Sequence, residues 1–414
     1  MPPSSLSDVE TDDDRAAGPG VLRPEDGEAA HRVTFIEVFF DVVFIFAFTQ
    51  LSKLFLEEPS PVGLVETVVL TAAIWWIWVD TTWVTNWLNP EKWPVRALLL
   101  VLMALGLTLS SSLPHAFDSD VGGAVFAVGI VLIGLVRTVF AIVAFRIHRP
   151  DNARNFVRIL VWTCAGGLLW LLGGFGPADA RVWIWAAALA LAFLGPLVRF
   201  RVPGLGGTPA ETWDVSGEHM NERVGLFFII AIGESIIVTG TVFAGVELSA
   251  DSIGGYLAAF IGSVLLWMLY FNHGERGGRE RMEEASKTGI VARNAYTIVP
   301  VVMVIGVVLT AVADELVILH PHEMEHPSTA WLICGGPAVY VLGNLLFKRS
   351  VGMPWLLSHL VAIAALIVLG VIGVGITPVS LSFAVNGVLA VVVLADEWSY
   401  RSGLRRAVES AAHR

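Results

Sequence analysis

The chain has 414 residues, of which 55% are hydrophobic and only 15% are charged, and its mean hydropathy is +0.70. A water-soluble domain usually carries about 25% charged residues, so this composition excludes an ordinary soluble protein. The formal net charge of −11 does not describe the surface of the folded part, because many of the acidic residues precede residue 29.

The first 31 residues are predicted to form a disordered acidic tail. They are rich in Pro, Ser and Gly and show almost no apolar periodicity, which is typical of segments that cannot bury enough apolar surface to fold. Their polar start lacks the basic and apolar regions of a signal peptide, so we expect the first spanning helix to direct membrane insertion. A second, basic tail is predicted at 401–414.

Between the tails, the sequence predicts an all-α integral membrane protein with about 12 transmembrane helices. A helix of about 20 apolar residues spans the roughly 30 Å hydrocarbon layer of a bilayer, and twelve segments meet this requirement. The predicted spans are 33–55, 62–85, 94–113, 121–146, 156–174, 181–199, 219–245, 251–272, 289–313, 328–347, 353–375 and 379–398.

The twelve spans divide into two predicted repeats of six. A cytoplasmic linker at 201–218 separates a first membrane repeat at 32–200 from a second at 219–400. The aromatic run at 75–78 in span 2 has a counterpart at 267–270 in span 8. Because six is an even number, both repeats would enter the membrane in the same direction, as parallel repeats do. The alternative is chance similarity between apolar stretches.

The basic residues outside the spans predict the orientation of the chain. Loops and tails on the side of the two termini carry 21 Lys and Arg residues, whereas the other side carries only Lys53 and Arg181. Basic loops remain in the cytoplasm, so both termini are predicted to be cytoplasmic. We expect a multi-pass protein of the bacterial plasma (inner) membrane.

Span 1 contains two acidic residues in an otherwise apolar run. Glu37 and Asp41 are four residues apart and therefore share one face of a helix. A charge at mid-membrane costs at least about 2.5 to 3.5 kcal/mol, so such residues are usually paired or functional. The two carboxylates require a cation, a proton or a basic partner.

Span 7 carries a second group of polar residues. His219 and Glu222 are three residues apart and are predicted to share a face, and Arg223 follows. Glu234 lies 12 residues beyond Glu222, about 18 Å deeper along a helix. It is the deepest acid in the chain and our leading candidate for a functional group. Alternatively, Glu234 is protonated or paired and only holds helices together.

Four further candidates lie in other spans: Asp80, Arg137, Arg293 and His359. Most candidates fall in the predicted cytoplasmic half, which favours a polar cavity or ion-pair network open to the cytoplasm and closed outside by an apolar plug. Arg137 is the expected counter-charge. The candidate residues for substrate binding or proton coupling are Glu37, Asp41, Asp80, Arg137, His219, Glu222, Arg223, Glu234, Arg293 and His359.

Two of these segments resemble the motifs of a known family. The run at 32–51, which contains Glu37 and Asp41, resembles the opening of the bacterial low temperature requirement A family, and the run at 219–235 resembles its second motif. The resemblance covers about 33 to 400. It implies a multi-spanning membrane protein, in a family that is named for a need in growth in the cold, without a defined biochemical activity. The acids and His219 are implied as part of the family pattern, not as catalytic residues.

These observations favour a secondary transporter, proton-coupled, acting on an unidentified small solute, ion or lipid within the lipid bilayer. One alternative is a membrane enzyme acting on a lipid or isoprenoid from the cytoplasmic side, with the histidines and acids in acid–base or metal-binding roles. Another is a channel, sensor or structural component. Nucleotide, zinc-protease and nucleophile-elbow motifs are absent from the sequence, so no cofactor, catalytic residue or nucleic-acid partner is predicted. A metal ion is left open.

Overall fold

The computed structural model describes residues 20–23, 33–57, 59–209, 216–272, 293–322, 324 and 327–412. Within these residues the protein is all-helical, apart from short turns and two isolated β-bridges. Most of the predicted N-terminal tail and part of the predicted linker lie outside the described residues. The secondary structure confirms the predicted fold class.

Twelve long helices follow one another along the described part of the chain, and each is long and apolar enough to cross a membrane. The protein is therefore a multi-pass membrane protein, as predicted. The helices are α1 (Phe35–Glu57), α2 (Pro61–Trp87), α3 (Trp93–Ser112), α4 (Asp120–Phe145), α5 (Pro150–Phe175), α6 (Ala178–Leu197), α7 (Gly217–Gly245), α8 (Ala250–Phe271), α9 (Pro300–Leu319), α10 (Pro327–Ser350), α11 (Leu357–Ile372) and α12 (Pro378–Ala412).

Capping residues explain where several helices begin. The Ser60 hydroxyl accepts a hydrogen bond from the Gly63 amide before α2, and Ser216 accepts one from His219 before α7. Such caps satisfy amides that have no partner within the helix. Pro occupies an early position in α2, α3, α5 and α9, where its missing N–H costs nothing.

The helices differ most from the predicted spans at α12, which ends at Ala412 rather than 398, but the difference that bears on the site is at α9. A π-helical turn at Asn294–Ile298 leads into it, and the helix continues to Leu319, six residues beyond the predicted end. Asp314 and Glu315 therefore lie inside the helix rather than at its end. This extension places a carboxylate, Asp314, among the packed helices.

Helices α1 and α7 lie where the first six helices meet the last six. They contact each other, and α1 also contacts α9, whereas α2 contacts α7 and α9. Several contacting pairs recur six helices later: α1–α3 and α7–α9, α2–α6 and α8–α12, α3–α4 and α9–α10. This recurrence supports the two-fold repeat, which stays a prediction. With twelve spans in series, α1 and α7 begin on the same side, which we call the terminal side.

Glycines allow α9 and α10 to pack closely. A Cβ on Gly306 would lie 2.6 Å from the Tyr340 amide nitrogen, and one on Gly336 would lie 2.7 Å from that of Thr310. Small residues of this kind let the backbones of membrane helices approach each other. The close crossing fixes the position of α9, which carries Asp314.

Candidate functional site at the α1–α7 interface

The two acids of α1 both face α7. The Asp41 carboxylate accepts two hydrogen bonds from the Arg223 guanidinium, at 2.7 and 2.8 Å. The Glu37 Oε1 atom lies 3.0 Å from His219 Nε2. His219 and Arg223 are four residues apart and share a face of α7, just as the two acids share a face of α1. All four side chains are buried.

Asn86, at the end of α2, fixes the orientation of His219. The Ser216 amide donates to Asn86 Oδ1 at 2.9 Å, which identifies the other end of the side chain as the amino group. That group donates to the Ser216 carbonyl and lies 3.2 Å from His219 Nδ1. This arrangement assigns Nδ1 as a hydrogen-bond acceptor and Nε2 as the donor to Glu37, so Arg23 Nη2, although 3.1 Å from Nε2, bonds to Glu37 instead.

Arg23 completes this group, although the sequence placed it in a disordered tail. Its Nη2 atom lies 3.1 and 3.0 Å from the two oxygens of Glu37, and its Nε donates to the carbonyls of Thr85 and Leu88. The preceding Leu22 pairs with Leu88 in an isolated β-bridge. The prediction of disorder is thus wrong for 20–23, because two buried carboxylates require positive charge that α7 supplies only in part.

We call Arg23, Glu37, Asp41, His219 and Arg223 the charge network. Besides Arg23 and His219, the Thr34 amide and hydroxyl donate to Glu37, both at 2.9 Å. Asp41 also accepts a hydrogen bond from Trp78 Nε1 at 2.7 Å, and the Trp78 ring lies 5.5 Å from the Arg223 guanidinium carbon, within range of a cation–π interaction.

The predicted cavity open to the cytoplasm is absent at the charge network. Its five side chains are no more than 6% exposed, and the oxygens of both carboxylates accept hydrogen bonds from protein groups. The sequence predicted either such a cavity or an ion-pair network, and the described residues form an ion-pair network. It ties α1, the end of α2 and the start of α7 together on the terminal side.

An aromatic layer lies one helical turn deeper. Phe227 follows Arg223 by four residues, and its ring packs against those of Phe44, Phe48 and Trp75 with centroids 5.2 to 5.9 Å apart. All four are buried. This layer separates the charge network from the polar groups further along the α1–α7 interface.

Glu234 lies beyond the aromatic layer, 11 residues after Arg223 and so about 16 Å further along α7. The side chain is 3% exposed and accepts a short hydrogen bond from the Thr49 hydroxyl of α1. The next residue, Ser235, faces α8 and α9 instead, where its hydroxyl is near Ser263 and Asp314. Thus the α1–α7 interface holds carboxylates at two depths.

Glu222 does not join the site. It is exposed, whereas His219 and Arg223 on the same helix are buried. At 3.6 residues per turn, residues three apart differ by about 60° around the axis and residues four apart by about 40°. The buried face of α7 therefore includes His219 and Arg223 and ends before it reaches Glu222. The prediction that His219 and Glu222 share the site is wrong.

Asp80 and Arg137 form a separate pair. Arg137 Nη2 lies 2.6 Å from Asp80 Oδ2, and both residues line a cavity of about 70 Å³ between α2, α4, α5 and α6. Arg137 was expected to neutralise the acids of α1, but Arg23 and Arg223 do so. The cavity walls are largely apolar and include Trp76, Trp162 and Trp170.

The two remaining candidates lie elsewhere. His359 Nε2 is 3.0 Å from Asn344 Oδ1 and 3.4 Å from Lys348 Nζ, and Lys348 pairs with Asp396. Sequence reasoning missed Lys348, because a lysine near a helix end usually reaches for water. Arg293 donates to the Pro196 carbonyl at 3.2 Å. Among the described residues, no group of three His, Cys, Asp or Glu side chains could hold a metal ion.

Comparison with known proteins agrees with the two motifs. A family model described as "Bacterial low temperature requirement A protein (LtrA)" matches residues 32–394. A protein of Rhizobium meliloti (strain 1021) with the name "Uncharacterized protein RA0937" is 34% identical over 381 residues, which cover 92% of this chain and 91% of that protein. No solved structure matches the chain. The chain belongs to the bacterial low temperature requirement A family.

Proposed function

We propose that this protein is a secondary transporter of a small solute, ion or lipid and that Glu234 is its proton-coupling group. The observation that carries the proposal is the arrangement of the α1–α7 interface. A closed charge network, an aromatic layer and a buried carboxylate follow one another along the same two helices. Transporters built from repeats place their sites at the repeat interface near mid-membrane.

In this proposal the charge network is a gate on the terminal side, which the sequence predicts to be cytoplasmic. Its ion pairs join α1 and α2 to α7, and so join the first six helices to the last six. Opening would separate Asp41 from Arg223 and admit water, which would then solvate both charges. The aromatic layer would part at the same time, because Phe227 is one turn from Arg223.

Glu234 would bind and release the proton. Its carboxylate has one hydrogen bond from Thr49 across the interface, so a change in its charge alters how α1 and α7 hold together. A buried charge is costly even with Lys53 of α1 acting on it electrostatically, and a proton removes that cost. Proton binding at Glu234 therefore favours a closed interface at this depth, and proton release favours a hydrated one.

The test uses the purified full chain in liposomes with an imposed pH gradient. The vesicles are incubated with a small-molecule extract of bacterial cells, and the trapped solutes are identified by mass spectrometry. We expect at least one solute to accumulate with the wild type in a manner that depends on the pH gradient. Glu234→Gln, which keeps the shape of the side chain, should abolish that accumulation.

Glu247→Gln provides the control, because Glu247 is exposed after the end of α7. This variant should accumulate the same solute as the wild type. Accumulation by Glu234→Gln at the wild-type level would contradict the coupling role. If no solute differs from empty vesicles in either gradient direction, a structural or sensory role is favoured over transport.

A further inference from the structure

We propose that Asp314 of α9 and three hydroxyl groups form a binding site for a sodium ion. The hydroxyls belong to Ser235 and Thr239 of α7 and Ser263 of α8. The site lies on the side of α7 that faces away from the Glu234–Thr49 contact. It goes beyond the transport proposal, because ion binding here does not require that the protein moves a solute.

Three helices bring these groups together. The Ser235 hydroxyl oxygen is 3.3 Å from that of Ser263 and 3.5 Å from Asp314 Oδ2. Thr239 follows Ser235 by one turn on the same face of α7. Each of the four side chains is at least 92% buried. Helices α7, α8 and α9 contact one another in pairs, so the cluster is enclosed by protein.

The carboxylate of Asp314 has too few partners for a buried charge. Its contact with Ser235, at 3.5 Å, is its only hydrogen bond within the described part of the chain and is at the limit of a real one. No Lys or Arg pairs with it there. Buried carboxylates are normally paired or well hydrogen-bonded, and this one accordingly requires a positive group from outside the chain.

The hydroxyls are also left with unused bonding capacity. Thr239 Oγ1 is fully buried and has no hydrogen-bond partner within the described residues, as is also true of Thr71 and Thr138. Nearby threonines behave differently: Thr241 donates to the Ile237 carbonyl at 2.8 Å, and Thr310 donates to that of Gly306 at 2.7 Å. Bonding to the preceding turn is the usual choice for a hydroxyl in a helix, and the Thr239 oxygen, one turn from Ser235, is therefore available to an additional ligand.

The chemistry of the cluster selects a small monovalent cation. All four side chains offer oxygen, the ligand atom that hard cations prefer. One carboxylate neutralises one positive charge, whereas a divalent ion would leave a net charge among apolar side chains. Two hydroxyl oxygens 3.3 Å apart suit a small ion, since oxygens around a larger one must stand further apart. These features favour Na⁺ over K⁺ or Ca²⁺.

The experiment measures thermal unfolding of the full chain in detergent by its tryptophan fluorescence, at fixed pH and ionic strength. Sodium chloride is exchanged for potassium or choline chloride. An ion that binds only the folded state raises Tm as its concentration increases. We expect such an increase with sodium alone. Asp314→Asn and Ser235→Ala should lose it, whereas Glu315→Gln and Thr241→Val should retain it.

The Tm in sodium-free buffer distinguishes a sodium ligand from a purely structural Asp314. If Asp314 is a sodium ligand, Asp314→Asn should there have a Tm equal to or above that of the wild type, because the unpaired charge is gone. If Asp314→Asn does not fold, Ser235→Ala and Thr239→Val carry the test.

A wild-type Tm that does not change with sodium concentration, or that increases equally with potassium, would contradict the proposed site. So would an Asp314→Asn variant that responds to sodium as the wild type does. A Tm that depends on pH but not on sodium would assign the site to a proton instead. Each of these results leaves the Glu234 coupling role standing, because that role is tested by uptake in a pH gradient.

Discussion

Arg223 and Asp41 are 182 residues apart in sequence, yet they form a bidentate ion pair that is almost completely shielded from solvent. The pair joins the first helix of the chain to the seventh. It is a strong contact between the first six helices and the last six, since a bidentate charged hydrogen bond exceeds a neutral one in strength. Three predictions concern this pair or its neighbours.

Removing one partner should be far more damaging than removing both. Asp41→Ala leaves the Arg223 charge buried without compensation, and breaking a buried pair in this way costs about 3 to 5 kcal/mol. The double variant Asp41→Leu with Arg223→Met should recover most of the loss. Unfolding in detergent, followed by tryptophan fluorescence, measures both. A single variant as stable as the wild type would show that the pair does not hold α1 to α7.

Arg23 should stabilise the protein although it precedes the first helix. Arg23→Ala removes hydrogen bonds to Glu37 and to two carbonyls at the end of α2. A hydrogen bond to a charged group contributes about 1.5 to 3 kcal/mol to the free energy of unfolding. The matched control is Arg154→Ala, whose pair with Asp151 is exposed and is worth at most about 1 kcal/mol. Equal effects of the two variants on unfolding would contradict the role of Arg23.

Double-mutant cycles should assign Arg137 to Asp80 and not to Asp41. Arg137 bonds Asp80 and the Ile77 carbonyl, and it has no partner in common with Asp41 among the described residues. We expect a clear coupling energy for Arg137 with Asp80. For Arg137 with Asp41 the effects should add to within about 0.5 kcal/mol. A larger coupling with Asp41 would restore Arg137 as a counter-charge of the charge network.

Two adjacent glycines in α10 should respond in opposite ways. In Gly336→Ala the new Cβ would lie 2.7 Å from the Thr310 amide nitrogen, so α9 and α10 must separate, which costs about 1 to 3 kcal/mol. A Cβ on Gly335 meets nothing within 4 Å, and Gly335→Ala should be neutral or stabilising by up to about 1 kcal/mol. Similar unfolding of the two variants would argue against the close crossing.

The fold could be predicted because the membrane imposes a simple rule. Every spanning segment must be a helix of about 20 apolar residues, and such segments are visible in the sequence. The end of α9 was missed because Asp314 and Glu315 look like residues at a helix end, although the helix continues to Leu319. The neighbours of Asp314 in space, which α7 and α8 supply, cannot be seen from the local sequence.

The candidate site could be predicted only in part, for a similar reason. Periodicity identified Glu37, Asp41, His219 and Arg223 as polar faces of two helices, and these residues do meet. Pairing between distant parts of the chain is not encoded by periodicity. Arg23 lay in a segment that has the composition of a disordered tail, and its role becomes visible only once the end of α2 is seen beside the start of α1.

Transport through this protein requires, in our proposal, that the α1–α7 interface opens. Ala231 is 2% exposed and lies on α7 between Phe227 and Glu234. In a chain with Cys164→Ser and Cys334→Ala, we would place Ala231→Cys and measure its rate of reaction with a water-soluble maleimide in liposomes. Ala141→Cys, equally buried in α4, is the control. If the interface opens, the cysteine at 231 reacts much faster than the one at 141, whereas equally slow reaction of both would contradict the proposal.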